Sequence, residues 1–297
     1  MVNGQPKTAE NHPQGSTDKV PLIHLPKHLQ TFMIDQQQIA EFAKELALEA
    51  GALVADKWKN SPLTLTSKGF RDVVTDADFA SQKLITDRVR QTFPTHGFLS
   101  EEDDGSLPTE GDVIWVIDPI DGTSNFSRKS PLFSVSIAAA TLTSDPNVFN
   151  SFVGVVLDPL RNELFEAQKG KGATLNGEPI QVSSISDFSN AIIALDWPRD
   201  PQERERTLNL VSKTVHESKT MRSIGSAALA LSYIACGRLD AYFNLNLQPW
   251  DVAAAGLIIE EAGGRFSNIS GGVWRIDDKS SLGTNGTIHQ KFIDLIQ

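Results

Sequence analysis

One apolar run that ends directly in two closely spaced aspartates constrains this chain more than any other feature. The run Val113-Ile114-Trp115-Val116-Ile117 is typical of a buried strand. Asp118-Pro119-Ile120-Asp121-Gly122-Thr123 follows at once. The pattern predicts two carboxylates and at least one backbone carbonyl where the strand ends and a Pro/Gly turn begins. Mg²⁺ prefers oxygen ligands of this kind, although the hexapeptide alone is more typical of a solvated Asp-Pro turn.

The charge of the chain excludes some functions and qualifies others. With 37 acidic and 27 basic residues among 297, the formal net charge is −10. This balance, without any Lys/Arg run, argues against a nucleic-acid partner. An acidic protein also repels phosphate esters unless a positive charge reverses the negative electrostatic potential at the binding site. A bound divalent cation would do so.

Cysteine usage and hydropathy indicate the compartment. The single Cys236 rules out an intramolecular disulfide and favours a reducing cytoplasm. No apolar run approaches the length needed to cross a bilayer, so no membrane partner is expected. Residues 1–34 are predicted to be a disordered or loosely attached extension, since their first part lacks an apolar core and resembles neither a signal nor an anchor.

The first half of the chain predicts helices followed by strands. Apolar residues recur at helical spacing over residues 35–59. A second helix is predicted from an N-cap at Thr75, with Asp78 as capping-box partner, to just before Pro94. Extended segments are then predicted at 97–100, 112–117, 133–141, 151–157 and 163–167, and Asn176-Gly177 is a strong hairpin turn.

The second half alternates strands and helices. Strands are predicted at 191–195, 220–224 and 239–245, and helices at 201–216, 225–236, 249–262 and from 288 onward. This order favours an α+β or layered α/β domain over residues 35–297, not a TIM barrel. A polar stretch near 183–189 divides it into two packed halves, residues 35–185 and 186–297.

Two further acidic groups are candidates for the same site as the hexapeptide. Glu101-Glu102-Asp103-Asp104 follows an apolar pair and, alone, is typical of a solvated loop. Asp251 lies near the start of a predicted helix, where an aspartate often only offsets the helix dipole.

Taken together and in order, these segments resemble the inositol monophosphatase family, within the lithium-sensitive, magnesium-dependent phosphatases. The resemblance runs from about Gln38 to the C-terminus. The segments that carry it are Asp72–Asp78, Glu101-Glu102, Trp115–Phe126, Trp250–Gly256 and Glu261–Gly264. It implies the layered α-β-α-β-α sandwich of the inositol monophosphatase and fructose-1,6-bisphosphatase type, commonly assembled as a homodimer.

The resemblance also implies a multi-metal site. Glu101, Asp118 and the Ile120 carbonyl would hold one Mg²⁺, and Asp118, Asp121 and Asp251 a second, with Asp118 bridging. Glu101 would help to hold a third. Crowded carboxylates repel one another, and divalent cations remove that repulsion. Two metals about 3.5–4 Å apart clamp the attacking and leaving oxygens of an in-line displacement.

The implied reaction is hydrolysis of a phosphomonoester by a metal-activated water. Glu101 and Thr123 would orient or deprotonate this water, and Asp78 would form a hydrogen-bond relay with Thr123. The amides of Gly122 and Thr123 would bind the phosphate. The remaining implied substrate contacts are Asp121, Gly225, Ser226, Ala227, Asn244 and Asp251.

Two other phosphate-handling classes are excluded by spacing. Haloacid-dehalogenase phosphatases need an aspartate two residues before Asp121, where this chain has Pro119. A P-loop kinase needs a Gly-x4-Gly-Lys-Ser/Thr sequence, which is absent.

One residue of the sequence leaves the choice of substrate open. Inositol-preferring members of the family place an acid seven residues before the aspartate of the helix motif, and here that residue is Asn244. Asparagine still bonds hydroxyls but lacks the charge-assisted acceptor. Inositol 1-phosphate is the first candidate, and histidinol phosphate, fructose 1,6-bisphosphate and nucleotide 3′-phosphates are alternatives. The alternative from another functional class is that the protein is a non-catalytic regulatory relative of these enzymes.

Overall fold

The apolar run before Asp118 forms strand β4 (Ile114–Asp121) within a seven-stranded sheet. The computed structural model describes residues 27–61, 64–69, 72–103, 105–145 and 147–297. β4 is parallel to its neighbour β3 (Gly97–Ser100), and the later pairs are antiparallel. The sheet continues in order through β5 (Ser134–Leu142), β6 (Phe149–Asp158), β7 (Glu163–Gln168), β8 (Gly172–Leu175) and β9 (Glu178–Pro179).

The first four residues of the hexapeptide lie inside β4, so the prediction that the strand ends at Ile117 is wrong. The pairing with β5 runs to Asp118, shifts register, and resumes with Asp121 opposite Ser134. Pro119 has no N–H for the ladder, which explains why the strand bulges between the two aspartates. The short helix α3 (Thr123–Ser127) follows directly.

A second sheet of five strands lies in the C-terminal part. Its first three strands, β11 (Thr220–Ser223), β10 (Ile192–Leu195) and β12 (Ala241–Asn244), are mutually parallel. Antiparallel β14 (Ser281–Thr284) and β13 (Arg265–Ser267) complete it. A parallel set needs crossover helices, and α4 (Pro201–Thr214) and α5 (Ala227–Ala235) supply them.

Helices form the remaining layers. On one face of the seven-stranded sheet, Phe42 of α1 (Lys27–Asn60) contacts Trp115 at 5.8 Å between ring centroids, and α2 (Asp76–Thr92) packs nearby. Between the sheets lie α5 and α6 (Pro249–Glu261). On the far side of the five-stranded sheet lie α4 and α7 (His289–Ile296). The layered fold class is confirmed.

Local signals in the sequence account for several element ends. The Thr75 side chain accepts from the backbone of α2 while Asp78 accepts from Thr75 N, as the capping box predicts. Asn176 and Gly177 both have positive φ, 53° and 84°, and form the predicted turn between β8 and β9. Helix α6 approaches β6 so closely that a Cβ on Gly154 would lie 2.6 Å from the Ala254 carbonyl oxygen.

The ends of the domain stay a prediction. Most of the extension expected over residues 1–34 lies outside the described residues, and α1 begins at Lys27. The seven-stranded sheet ends at Pro179 and the five-stranded sheet begins at Ile192, on either side of the proposed boundary between halves. Among the described helices, none combines the length and apolar character that a bilayer-spanning segment requires.

Candidate active site

Ten of the twelve predicted site residues line one cavity of about 400 Å³, a volume suited to a small ligand. Asp78 and Ser226 are the two that do not. The lining has two parts, which we name by their chemistry. The carboxylate wall consists of Glu101, Asp118, Asp121 and Asp251. The polar wall consists of Asp196, Ser223, Tyr242 and Asn244.

Three members of the carboxylate wall converge from separate elements. Asp118 and Asp121 belong to β4, and Asp251 stands in the first turn of α6. One oxygen of each lies within 4.8 Å of the others. Asp118 is 2% exposed and Asp121 is 6% exposed. Within the described residues none of the three forms an ion pair with Lys or Arg.

Each of these aspartates keeps acceptor capacity. Asp118 accepts from Ile120 N through Oδ1 at 3.0 Å, which leaves Oδ2 open. Asp251 accepts from Gln248 N through Oδ2 at 2.7 Å, which leaves Oδ1 open. Asp121 Oδ1 takes a single bond, from Ala227 N at 3.1 Å. Three carboxylate oxygens with room for further contacts, none of them in an ion pair with Lys or Arg in the part of the chain that the structure describes, fit a hard divalent ion.

Burial and mutual repulsion raise the pKa values of the three aspartates. Desolvation, followed by the charges of Glu101, Asp121 and Asp251, raises the pKa of Asp118 well above its ordinary value. Desolvation and the Asp121 charge raise the pKa of Asp251 to about 7. The pKa of Asp121 is also raised by desolvation, against the lowering effect of its hydrogen bonds. This mutual repulsion of the carboxylates is the electrostatic condition under which a cation binds.

Glu101 and Ile120 border the aspartate triad. Glu101 lines the cavity just after β3, and its charge is the second cause of the raised pKa of Asp118. The Ile120 carbonyl, which accepts from Thr123 Oγ1 at 3.0 Å, belongs to the same stretch of β4. The oxygens expected from the sequence are thus gathered at one cavity, with only the aspartate triad inside the 4.8 Å limit.

A buried hydrogen-bond chain supports the carboxylate wall from behind. The Thr123 hydroxyl lies 3.1 Å from Asp78 Oδ1 and 3.0 Å from the Ile120 carbonyl, so it donates to one of the two. Asp78 also accepts from Thr75 N at 2.8 Å. Desolvation raises the pKa of Asp78 to about 6 even though Thr75 and Thr123 donate to it. The relay expected between Asp78 and Thr123 therefore has the required contact.

Asp121 joins the carboxylate wall to the start of α5. Its Oδ2 accepts from Ala228 N at 2.9 Å, from Ser134 Oγ at 3.2 Å, and from Ser226 Oγ. Ser226 is fully buried and thus contacts Asp121 instead of the cavity. Sequence reasoning assigned Ser226 to the substrate and missed this supporting contact.

Two glycines bring the segments around the cavity close together. Gly122 has φ 95°, and a Cβ there would lie 3.0 Å from the Gly225 carbonyl oxygen. Gly225 has φ 77°, and a Cβ there would lie 2.6 Å from Asn125 Nδ2. The Asn125 amide in turn donates to the Leu132 and Ile224 carbonyls at 2.7 and 2.9 Å. Asn125 therefore connects α3 to the segment before β5 and to the turn before α5, a role that its place in the motif did not reveal.

The polar wall stands at the carboxyl ends of three parallel strands. Asp196 follows β10 directly, Ser223 ends β11, and Asn244 ends β12. Because β10 and β12 align Ala194 with Tyr242, alternation places Asp196 beside Asn244 on the same face. In parallel sheets of α/β proteins, ligands bind at this edge.

Asp196 is the centre of the polar wall. Its Oδ1 accepts from Gly225 N at 2.7 Å and Ser223 Oγ at 2.8 Å, and its Oδ2 accepts from Tyr242 OH at 3.2 Å. Desolvation raises the pKa of Asp196 to about 6 against these bonds. Desolvation and the charge of Asp196 raise the pKa of Tyr242 well above its usual value, so the phenol stays a donor.

Sequence reasoning found only Asn244 in the polar wall. Its amide donates to Tyr242 OH at 3.3 Å and accepts from Asn246 N at 2.8 Å. Asp196 carried the signal that identified Asp118, namely an acid directly after an apolar run, here Ile192–Leu195. The neighbouring Trp197, Arg199 and Arg204 also line the cavity and were missed.

Comparison with known proteins assigns the relationship. The model of the inositol monophosphatase family matches residues 35–297. Nus factor SuhB of Escherichia coli K12 is 40% identical over 232 residues, which cover 77% of this chain and 85% of that protein.

Solved structures agree with the sequence match. The extragenic suppressor protein suhB of Bartonella henselae superposes with a TM-score of 0.79 at 31% identity, covering 86% of this chain and 96% of the other. The IMPase of Thermotoga maritima superposes with a TM-score of 0.77 at 32% identity, covering 86% and 95%. The similarity thus extends over nearly the whole of both solved chains.

Proposed function

This chain belongs to the inositol monophosphatase family, and we propose that it is a Mg²⁺-dependent phosphomonoesterase that hydrolyses a small phosphorylated polyol. Inositol 1-phosphate is the first candidate. The observation that carries the proposal is the triad of Asp118, Asp121 and Asp251. One oxygen of each lies within 4.8 Å of the others, and among the described residues none of the three forms an ion pair with Lys or Arg. A protein that only bound a partner would have no use for such a cluster, because it destabilises the fold until a cation binds.

The carboxylate wall is the proposed metal centre. Glu101, Asp118 and the Ile120 carbonyl would hold one Mg²⁺, Asp118, Asp121 and Asp251 the other, and Glu101 would help with a third. When bound, such ions activate a water as nucleophile and stabilise the leaving oxygen. Their charge also makes an acidic cavity attractive to a phosphate dianion.

Thr123 and Asp78 are the proposed proton-handling pair. When the Thr123 hydroxyl donates to Asp78 Oδ1 at 3.1 Å, its own lone pairs are directed away from Asp78. Thr123 lines the cavity, so these lone pairs can accept a hydrogen bond from an attacking water and orient it. Asp78 fixes that orientation from the buried side. Gly122 and Thr123 amides are the proposed phosphate contacts, and Gly225, Ala227 and Asn244 the proposed polyol contacts.

Phosphate release from purified full-length protein tests the proposal. We expect release from inositol 1-phosphate with Mg²⁺ and none with EDTA. Histidinol phosphate, fructose 1,6-bisphosphate and adenosine 3′,5′-bisphosphate complete the panel, and a faster rate on one of them would reassign the substrate. No Mg²⁺-dependent release from any of the four would contradict the phosphatase assignment.

Three properties follow from the family resemblance alone and are proposed with it. We expect a homodimer, which sedimentation of the purified protein would test. We expect inhibition by Li⁺ at submillimolar to millimolar concentration, tested by titration against Mg²⁺. We also expect a cytoplasmic location, tested by fractionation.

A regulatory role is a second candidate, because the E. coli relative is named a Nus factor. Asp118→Asn separates the two functions. If the phenotype of a strain that lacks the protein is fully complemented by a catalytically dead Asp118→Asn variant, the regulatory role is favoured. If only the wild type complements, the enzyme is the functional form.

A further inference from the structure

The polar wall contains an acid that the proposed chemistry does not use. Five carboxylates line the cavity, and four of them form the carboxylate wall. The fifth, Asp196, stands on the other sheet, after β10. It forms no ion pair in the described part of the chain, and its bonds come from neutral donors.

The two oxygens of Asp196 differ in what they can still accept. Oδ1 receives two hydrogen bonds, from Gly225 N at 2.7 Å and Ser223 Oγ at 2.8 Å, and is thereby satisfied. Oδ2 receives one, from Tyr242 OH at 3.2 Å. The two oxygens of an ionised carboxylate offer about four lone-pair sites. The three bonds to Asp196 therefore leave one acceptor position, on Oδ2, in a residue that lines the cavity.

A neutral hydrogen-bond donor on a ligand can take that acceptor position. A hydrogen bond to an ionised group is roughly twice as strong as one between neutral groups. A second anionic group placed here would instead meet like charge, which selects against it. A polyol hydroxyl has the required chemistry.

We propose that Asp196 is a specificity-determining residue, whose Oδ2 accepts a hydrogen bond from a hydroxyl of the polyol part of the substrate. The inference rests on the proposed phosphatase function and identifies the carboxylate that recognises the polyol part of the substrate. It also answers the question raised by Asn244. The charged acceptor missing from the end of β12 is present at the end of β10, next to it, and both side chains contact the Tyr242 hydroxyl.

Asp196→Asn is the direct test. The amide oxygen can still accept from Gly225 N and Ser223 Oγ, whereas the NH₂ group replaces Oδ2 and donates where Asp196 accepts. We expect KM for inositol 1-phosphate to rise roughly 10-fold or more, the size of one charge-assisted hydrogen bond. Hydrolysis of 4-nitrophenyl phosphate, which has no hydroxyl, should change less than about two-fold.

Asp200→Asn is the matched control. Asp200 lies in the same connection, outside the cavity, and caps α4 by accepting from Gln202 N and Glu203 N. Asparagine caps helices equally well, so both substrates should be hydrolysed as by the wild type.

Relocating the charge provides a second, independent test. The double variant Asp196→Asn/Asn244→Asp moves the single carboxylate from β10 to β12, on the other side of the Tyr242 hydroxyl. We expect it to recover part of the preference for inositol 1-phosphate over 4-nitrophenyl phosphate that Asp196→Asn loses.

The outcomes distinguish this inference from the proposed function. Equal losses on both esters in Asp196→Asn would mean that Asp196 only holds the Gly225 turn, and would overturn the inference while leaving the phosphatase intact. An unchanged KM for inositol 1-phosphate would overturn it as well. Failure of the wild type to hydrolyse either ester would overturn both.

Discussion

The two walls of the cavity use aspartates in opposite ways. On the carboxylate wall, Asp118 and Asp251 each receive one hydrogen bond that the structure defines, and their open oxygens face other carboxylates. On the polar wall, Asp196 receives three hydrogen bonds, all from neutral donors.

The contrast distinguishes clustered carboxylates, which need a bound cation, from a single carboxylate, which needs only a hydrogen-bond donor such as a hydroxyl. Clustered carboxylates are destabilised until a positive ion binds, because each raises the pKa of its neighbours. A single carboxylate held by a phenol, a hydroxyl and an amide is stable by itself and presents one directional acceptor. One wall is therefore suited to the reaction and the other to the choice of substrate.

The largest effect is expected from Asp118→Asn. The change removes one charge from the centre of the triad, and phosphate release with Mg²⁺ should fall more than about 100-fold, beyond the loss typical of residues that only support metal ligands. Phosphate release and circular dichroism would be measured together, with Asp112→Asn as control because Asp112 is exposed just before the same strand. Undiminished turnover in a folded Asp118→Asn protein would remove Asp118 from the reaction.

A smaller loss is expected when the support behind the carboxylate wall is removed. Thr123→Ala deletes the hydroxyl that bonds Asp78, and kcat should fall roughly 10²-fold, the lower end of general acid–base contributions. Thr123→Ser keeps the hydroxyl and should retain most of the rate. If alanine and serine variants are equally slow, the methyl group and its packing matter instead of the hydroxyl.

Metal removal should make the stability of the fold depend on pH. Asp251 has its pKa raised from 3.8 to about 7 in the folded protein. Because the folded state holds this proton more tightly than the unfolded state, stability present below pH 4 is lost as the pH rises through about 7. In EDTA the Tm should fall between pH 5 and pH 8, and Mg²⁺ at pH 8 should raise it.

Asp251→Asn is the reference for that experiment, since it retains an acceptor for Gln248 N without the titrating charge. Comparing the two proteins cancels contributions from elsewhere, such as His289, whose pKa desolvation lowers to about 4. The Tm of the variant should vary less with pH. Parallel pH profiles for variant and wild type would mean that Asp251 does not carry the effect.

The smallest effect is expected on the polar wall. Tyr242→Phe removes one hydrogen bond to Asp196 and should reduce the free energy of unfolding by about 1 kcal/mol. We expect a change of only a few-fold in kcat/KM for inositol 1-phosphate, because Asp196 keeps the bonds from Gly225 and Ser223. A loss as large as that of Asp118→Asn would erase the distinction between the walls.

The members of the carboxylate wall could be proposed from the sequence because they lie in uninterrupted motifs. Asp118 and Asp121 follow an apolar strand, and Asp251 follows the Pro249 that starts a helix, so each has a local signal. The layered fold followed from the order of helices and strands. The predicted end of β4 was wrong because the pairing that resumes at Ser134 depends on a neighbouring strand and not on the hexapeptide.

The polar wall could not be assembled from the sequence in the same way. Asp196 and Tyr242 lie on strands separated by α4, β11 and α5, and only the parallel pairing of β10 with β12 brings them together. A pattern read along the chain does not give strand order. Asp196 did carry the local signal of an acid after an apolar run, but nothing nearby marked it as part of the same cavity.

The four hydrogen bonds that Asp121 receives from β5 and from the start of α5 have a consequence for the timing of assembly. Those contacts form when the chain folds, because they engage both oxygens of a buried residue and connect the central strand to a helix. The conformational entropy of aligning the two sides of the cavity is therefore lost during folding and not at each encounter with substrate. The cleft therefore has its final width before a ligand binds, and turnover does not require a rearrangement of the protein.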